Sequence, residues 1–332
     1  MASNRPPPPP PAARTDGTPP PSPPPARRTG RARRPGTGPR HGRADRTALA
    51  LMLGVPALLV VGLVWLPAAA TVLLSFTRWD GIGGLDTIEW IGVQNYTDAF
   101  TIYPPFEPAL RNNLVWLAVL FTVPTLLGMF LAVLLDREMR GGSVYRSIFY
   151  LPVVLSLALI GFVWQLVYSR DQGLLNAFLA LVADAPAVDW FGNPDINLYA
   201  VLVAAGWRHT GYIMLLYLAG LKAVDPSLRE AAAIDGAGPV RTFTRVVFPA
   251  LLPVNLVVVV VTVIDALRAF DIVWVVNRGR NGLELISALV TSNVIGEASR
   301  VGFGSALAVV MLVISLVFIV VYVSTMLRGA QR

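Results

Sequence analysis

Residues 114–135 have the sequence LVWLAVLFTVPTLLGMFLAVLL and contain no charged side chain. They lie between Arg111 and Asp136, and a helix of this length crosses about 30 Å of hydrocarbon. A chain inside a bilayer must satisfy its own backbone hydrogen bonds, so a long apolar run predicts a membrane-spanning helix. The run therefore indicates an integral membrane protein.

Five further runs are also predominantly apolar, although residues 197–221 include Arg208 and residues 251–274 include Asp265, Arg268 and Asp271. Each run reaches the roughly 20 residues that a spanning helix requires. They are the run between Arg46 and Arg78 and residues 147–169, 197–221, 251–274 and 301–327. The sequence therefore predicts an all-α integral membrane protein, with six transmembrane helices in a domain over residues 47–328.

The overall composition agrees with a membrane location and confines the excess basic charge to one end. Of the 332 residues 55% are hydrophobic and only 14% are charged, which is too little charge for the surface of a soluble protein. Residues 1–46 hold ten Arg against two Asp, and they also hold 14 of the 27 Pro. Such a segment cannot bury enough apolar area to fold. We expect a disordered Pro/Arg-rich tail over residues 1–46 and no nucleic-acid partner.

Several kinds of chemistry are excluded by residues that the chain lacks. There is no Cys, and His41 and His209 lie far apart, so we predict no metal site and no bound cofactor. The single Lys, Lys222, does not follow the glycines of a phosphate-binding loop, so ATP would have to bind another chain. The spans contain neither an HExxH motif nor paired catalytic Asp, so we predict no catalytic residues.

The distribution of basic residues predicts the orientation in the membrane. With residues 1–46 in the cytoplasm, 19 Lys and Arg fall on the cytoplasmic side and 7 fall outside. Cytoplasmic segments of membrane proteins carry this excess. The loop after the fifth span is the one discordant segment, because four Arg lie on its outer side. We predict that both termini are cytoplasmic.

The cytoplasmic loop over residues 222–253 has the pattern of two short helices. Asp225 followed by Pro226 is typical of a helix N-cap, and Ala-rich residues 227–235 continue the helix. Gly236 predicts a stop with positive φ, and a second helix is expected over residues 240–248, ending before Pro249. The pattern alone fits an ordinary connecting loop in the membrane interface equally well.

Residues 230–238 of this loop have the sequence EAAAIDGAG, with Pro249 following, and they resemble the EAA loop of binding-protein-dependent ABC importer permeases. Further segments resemble the sugar-importing, maltose/oligosaccharide branch of that family, in particular its first permease. They are WIGVQNY at 90–96, FYLP at 149–152, GLLN at 173–176, Trp207, AGL at 219–221 and FD at 270–271. Residues 277–282, NRGRNG, depart from the family's Gly-rich turn ending in Pro.

The resemblance implies the fold of a type I ABC importer permease and a function in ATP-driven sugar import. It implies a bacterial plasma (inner) membrane location, contact with lipid, a second homologous permease, two cytoplasmic ATP-binding subunits and an extracellular solute-binding protein. The EAA loop would dock on an ATPase. Its implied coupling residues are Glu230, Ala231, Ala232, Asp235 and Gly236, with the two Ala permitting close approach and Glu230 supplying a carboxylate.

Polar residues inside the fourth and fifth spans are candidates for the substrate path, because an ionisable residue in a membrane is costly. The candidates are Trp207, Arg208, His209, Tyr212, Thr262, Asp265 and Ala269. Aromatic rings beside hydrogen-bonding groups suit a sugar. A structural polar network, in which Arg268 pairs with Asp265 or Asp271, explains the same pattern.

A self-sufficient secondary transporter of a small polar solute is the alternative function. It would favour internal repeats and an intramembrane site for a proton or sodium ion. The sequence shows no internal repeat, and Asp265 is its one hint of such a site.

Overall fold

The computed structural model describes residues 43–137, 141–296 and 299–330, and the chain divides between Leu58 and Leu59 into two compact units. The described part of the first unit belongs to helix α1 (Arg43–Val60). α1 begins inside the tail that we predicted to be disordered, and residues 1–42 of that tail lie outside the described residues.

The described residues of the second unit form helices, two short strands and the loops that join them. Its elements up to the 222–253 loop are a π-helical turn (Val61–Trp65), α2 (Leu66–Leu74), β1 (Thr77–Arg78), a 3-10 helix (Leu85–Thr87), β2 (Glu89–Trp90), α3 (Gln94–Thr101), α4 (Phe106–Asp136), α5 (Gly142–Val154), α6 (Leu157–Val167), α7 (Leu174–Ala183) and α8 (Pro194–Ala223). The later elements are α9 (Pro226–Ile234), α10 (Pro239–Thr242), a π-helical turn (Phe243–Val247), α11 (Phe248–Ala250), α12 (Leu252–Leu267), α13 (Asp271–Asn277), α14 (Ile286–Val294) and α15 (Val301–Ala330).

Three of the described helices are by themselves long and apolar enough to cross a membrane: Thr47–Leu74, Phe106–Asp136 and Val301–Thr325. Two bent pairs meet the same criteria together, Gly142–Val154 with Leu157–Val167 and Pro239–Ala250 with Leu252–Asn277. If each bent pair forms one span, the described residues contain five such spans, against the six that we predicted.

The predicted fourth span, residues 197–221, lies within α8, which has 30 residues but is not among the described helices that are apolar enough to cross a membrane by themselves. Arg208, His209 and Thr210 interrupt its apolar sequence at the centre. At about 1.5 Å per residue the helix is still long enough to cross a bilayer. Many of its side chains are buried against other helices, so its polar residues need not face lipid.

The predicted third span, residues 147–169, is not one continuous helix. α5 ends at Val154, α6 begins at Leu157, and the two are bent by 101°. Ser156 caps α6, because its Oγ accepts a hydrogen bond of 3.2 Å from the Leu159 N–H. A hydroxyl cap inside an apolar run therefore divides this span.

α4 and α8 pack side by side at the centre of the second unit. Trp116 of α4 and Val201 of α8 share one buried apolar cluster. Closer to the end of α4, a Cβ added at Gly128 would lie 2.8 Å from Cβ of Ile213 and 2.9 Å from the carbonyl of Thr210. Small residues let membrane helices approach closely, so Gly128 permits this contact.

The two strands form a small antiparallel pair in which Thr77 lies opposite Trp90. Arg78 and Glu89 are joined by an exposed ion pair of 2.9 Å. The buried Asn95 amide donates hydrogen bonds of 2.8 Å to the Thr77 carbonyl and 2.9 Å to the Ser75 carbonyl, so it connects α3 to β1 and to the residues before it.

Asparagine side chains shape the loop between α13 and α14, which departs from the family pattern. The Asn112 amide donates to the carbonyls of Gly282 at 3.1 Å and Glu284 at 3.0 Å. The Asn113 Oδ1 accepts from the Ile286 N–H at 2.8 Å. These side-chain bonds replace backbone pairing and hold the loop against α4.

Candidate functional site

A cavity of about 370 Å³ lies among α4, α6, α8, α12 and α13, and we call it the central cavity. Five of the seven predicted substrate-path residues line it, namely Arg208, His209, Tyr212, Asp265 and Ala269. Trp116, Arg268 and Asp271 also line it and were not predicted as site residues. The fold therefore brings most of the polar residues of the fourth and fifth predicted spans to one place.

His209 joins α8 to α12 at the wall of this cavity. Its Nε2 lies 3.0 Å from the Oγ1 of Thr262. Thr262, a predicted substrate-path residue, is fully buried and does not line the cavity. The His209 Nδ1 lies 3.9 Å from Oδ2 of Asp265, beyond hydrogen-bonding distance. The contact with Asp265 is an ion pair only when His209 is protonated. Thr262 thus orients the imidazole.

Several polar groups around the central cavity have no partner within the described part of the chain. The Arg208 Nε and the Trp116 indole N–H are buried without a hydrogen bond. Arg268 forms no ion pair with Asp265 or Asp271 among the described residues, so the local pairing expected in a structural polar network is not formed there. The cavity wall therefore combines cationic and carboxylate side chains that are not locked into a close ion pair with one another among the described residues, as binding a molecule with many hydroxyl groups requires.

Trp207, which we predicted as a substrate-path residue beside Arg208, does not line the central cavity. Its side chain is 43% exposed, and its ring lies 6.0 Å from that of Trp164. It lines a separate apolar groove with Val123 and Phe130. Successive residues of a helix point about 100° apart, so neighbours in sequence face different surroundings.

Trp116 stands at the wall of the central cavity but is only 1% exposed and belongs to the buried apolar cluster. It is an aromatic residue in an apolar run, and such residues are most often packing residues. Only the packing of α4 against α8 brings it to the wall of the central cavity.

The first helix of the 222–253 loop has the predicted cap and stop. The Asp225 carboxylate accepts a hydrogen bond of 2.9 Å from the Ser227 N–H, and this bond lowers the pKa of Asp225. Gly236 follows α9 with φ of +74°, as its position after the helix predicts. The Ala237 N–H closes the turn on the Ala232 carbonyl at 2.9 Å.

Four of the five predicted coupling residues are exposed on this loop: Glu230, Ala231, Asp235 and Gly236. Ala232 is only 7% exposed and packs against its own chain, so it is not available for close approach by a partner. Residues two apart in a helix lie on different faces, which separates Ala232 from Glu230.

The second helix of the loop is longer than predicted. It runs from Pro239 to Ala250 and contains Pro249 instead of ending before it. Within this helix a π-helical turn at Phe243–Val247 precedes Pro249, and the Phe248 N–H donates a hydrogen bond to the Phe243 carbonyl five residues back. Pro249 then occupies the first turn of α11, where a missing N–H is tolerated.

The chain is similar to known membrane transport proteins. Residues 124–328 match the family described as binding-protein-dependent transport system inner membrane component. The chain is 32% identical over 266 residues to the xylose/arabinose import permease protein XacH of Haloferax volcanii, covering 79% of this chain and 83% of that protein. It is 31% identical over 267 residues to the trehalose/maltose transport system permease protein MalF of Thermococcus litoralis, covering 80% and 89%.

A solved structure has the same fold. It is a bacterial ABC transporter involved in the import of the acidic polysaccharide alginate, and the superposition has a TM-score of 0.73. The two chains are 19% identical, and the match covers 86% of this chain and 96% of the other.

Proposed function

The chain belongs to the family of binding-protein-dependent transport system inner membrane components, and from this we propose that it forms the path by which a carbohydrate crosses the membrane. It is a multi-pass permease subunit of an ABC importer and not an enzyme, since ATP hydrolysis resides on separate subunits in this family. The relatives that import xylose or arabinose and trehalose or maltose support a sugar as its cargo.

The polar side chains that line the central cavity carry this proposal. A guanidinium donates hydrogen bonds in a fixed fork, and a carboxylate only accepts them, so Arg208 and Asp265 together match the donor and acceptor hydroxyls of a sugar. The partly exposed Tyr212 ring supplies an apolar face against which a pyranose or furanose ring can stack, while the fully buried Trp116 packs behind the cavity wall. In this proposal His209 is a wall residue whose position is set by Thr262.

We further propose that the exposed residues of the 222–253 loop bind a cytoplasmic ATP-binding subunit. Glu230 presents a carboxylate, and Ile234 next to it on the same surface is 86% exposed. An exposed apolar side chain beside a charge on a water-facing loop is typical of a binding surface. Ala231, Asp235 and Gly236 complete the proposed contact, while Ala232 secures α9 to its own chain.

The proposed assembly contains a second homologous permease, two cytoplasmic ATP-binding subunits and an extracellular solute-binding protein. The proposed orientation places both termini in the cytoplasm, supported by the basic residues, 19 on that side against 7 outside. Reporter fusions are expected to read cytoplasmic after Lys222 and external after Gly173. The opposite pair of results would refute this orientation.

The function is tested on the complex purified from its host through a tag on this chain and reconstituted into vesicles with its solute-binding protein. We expect uptake of a labelled neutral mono- or disaccharide that requires ATP and stops with a non-hydrolysable ATP analogue. A secondary transporter would accumulate sugar without ATP when a proton or sodium gradient is imposed. Uptake of that kind, or the absence of an ATPase from the complex, contradicts the proposal.

A further inference from the structure

One side chain connects the 222–253 loop to two helices of the membrane domain. Arg229 lies on α9, directly before Glu230, and its Nη1 lies 2.8 Å from Oδ2 of Asp136. Its Nη2 donates a hydrogen bond of 3.2 Å to the carbonyl of Leu221. Asp136 is the last residue of α4, and Leu221 lies in the last turn of α8.

This contact differs from an ordinary surface ion pair. The Asp136 side chain is 14% exposed and that of Arg229 is 38% exposed, so solvent screens the pair only in part. A guanidinium that holds two acceptors at once also has a more defined geometry than a single contact would give it. Among the described residues, this is the one ion pair between α9 and any other element.

The two helices that Arg229 contacts form walls of the central cavity. α4 carries Trp116, about 30 Å along the helix from Asp136, and α8 carries Arg208, about 20 Å from Leu221. A helix transmits a displacement along its axis because its hydrogen-bonded backbone is stiff, whereas a flexible loop absorbs the displacement. A movement of α9 therefore reaches two cavity walls through one side chain.

We propose that Arg229 is a positioning residue that couples the ATPase-binding loop to the cavity walls by holding α9 to the ends of α4 and α8. The inference rests on the proposed function, since it assigns a route for the movement that ATP binding starts. Glu230 is exposed and, in the proposed function, contacts the ATP-binding subunit, whereas Arg229 contacts the chain's own helices. The ordinary alternative is that the Arg229 ion pair only stabilises the fold.

The test compares four variants of the reconstituted complex by the number of sugar molecules imported per ATP hydrolysed. Arg229→Ala and Asp136→Ala are each expected to lower this ratio about tenfold. This is near the lower end of the range expected when a hydrogen bond to a charged group is lost. The charge-exchanged double variant Arg229→Asp with Asp136→Arg restores the ion pair and is expected to recover much of the ratio. Arg137→Ala is the matched control, because Arg137 is the next residue, is exposed and forms no ion pair among the described residues.

The ratio separates coupling from stability. If Arg229 only stabilises the fold, fewer complexes are recovered from the Ala variants, but each recovered complex keeps the wild-type ratio. That result overturns the inference and leaves the proposed function standing. Wild-type complexes that import no sugar with ATP would refute the proposed function itself. If the Ala variants cannot be purified, Arg229→Lys is measured instead. Lysine keeps the charge but cannot bind both acceptors in the same geometry, so we expect a ratio between those of the wild type and a fully uncoupled complex.

Discussion

Replacing Gly236 by valine is expected to abolish most ATP-driven uptake without preventing membrane insertion. Gly236 has φ of +74°, a conformation that costs a β-branched residue about 1–2 kcal/mol or more. No atom lies within 4 Å of a Cβ built at this position, so the effect arises from backbone strain and not from a clash. The turn between α9 and the second helix must change shape, and the exposed surface around Glu230 then no longer fits its partner.

Gly238→Val is the matched control for this substitution. Gly238 lies in the same loop, has φ of −67° and ψ of 164°, and also has no atom within 4 Å of an added Cβ. Valine adopts this extended conformation readily, and the following Pro239 favours it as well. We expect near-normal uptake from Gly238→Val, so equal losses in both variants would indicate that the loop tolerates no added bulk and would remove the strain argument.

Glu230→Ala acts on the same surface by a different route. The Glu230 side chain is exposed and forms no ion pair within the described chain, so its removal is not expected to affect folding. Loss of a hydrogen bond to a charged group is worth about 1.5–3 kcal/mol, and we expect the ATP-binding subunit to dissociate from the purified complex or to lose its coupling. Normal uptake by both Gly236→Val and Glu230→Ala would contradict the proposed role of this loop.

Arg208→Gln is expected to raise the substrate concentration for half-maximal uptake by about ten- to hundredfold, as loss of a charged hydrogen-bond donor implies. Basal ATP hydrolysis should stay the same, because Arg208 lies in the central cavity and not on the 222–253 loop. The measurement is the initial rate of uptake against sugar concentration, in vesicles that contain the complete complex.

Thermal unfolding in detergent distinguishes a binding role for Arg208 from a structural one. The Arg208 Nε is buried without a hydrogen bond, which is unfavourable, so Arg208→Gln is expected to leave the unfolding temperature unchanged or slightly higher. Trp207→Phe is the control on the same helix, because Trp207 faces the apolar groove, and we expect near-normal half-saturation from it. A clear loss of stability in Arg208→Gln, with unchanged half-saturation, would show that Arg208 is structural.

The features that the sequence alone determined are those that depend on near neighbours in the chain. The spanning segments follow from composition over about 20 residues, and the membrane requires helices there. The Asp225 cap and the positive φ of Gly236 follow from residue types within one turn of α9, and both were predicted correctly. The EAA sequence likewise lies within one continuous segment, which is why the family could be recognised from it.

What tertiary structure alone decided is which side chains meet. α8 is apolar around most of its circumference, so its sequence does not indicate that Arg208 faces a cavity while Trp207 faces a groove. Ala232 is buried whereas its neighbour Ala231 is exposed, and Arg229 contacts Asp136, which lies 93 positions earlier in the chain. Helical periodicity shows which residues share a face, but the packing of distant segments determines what lies opposite that face.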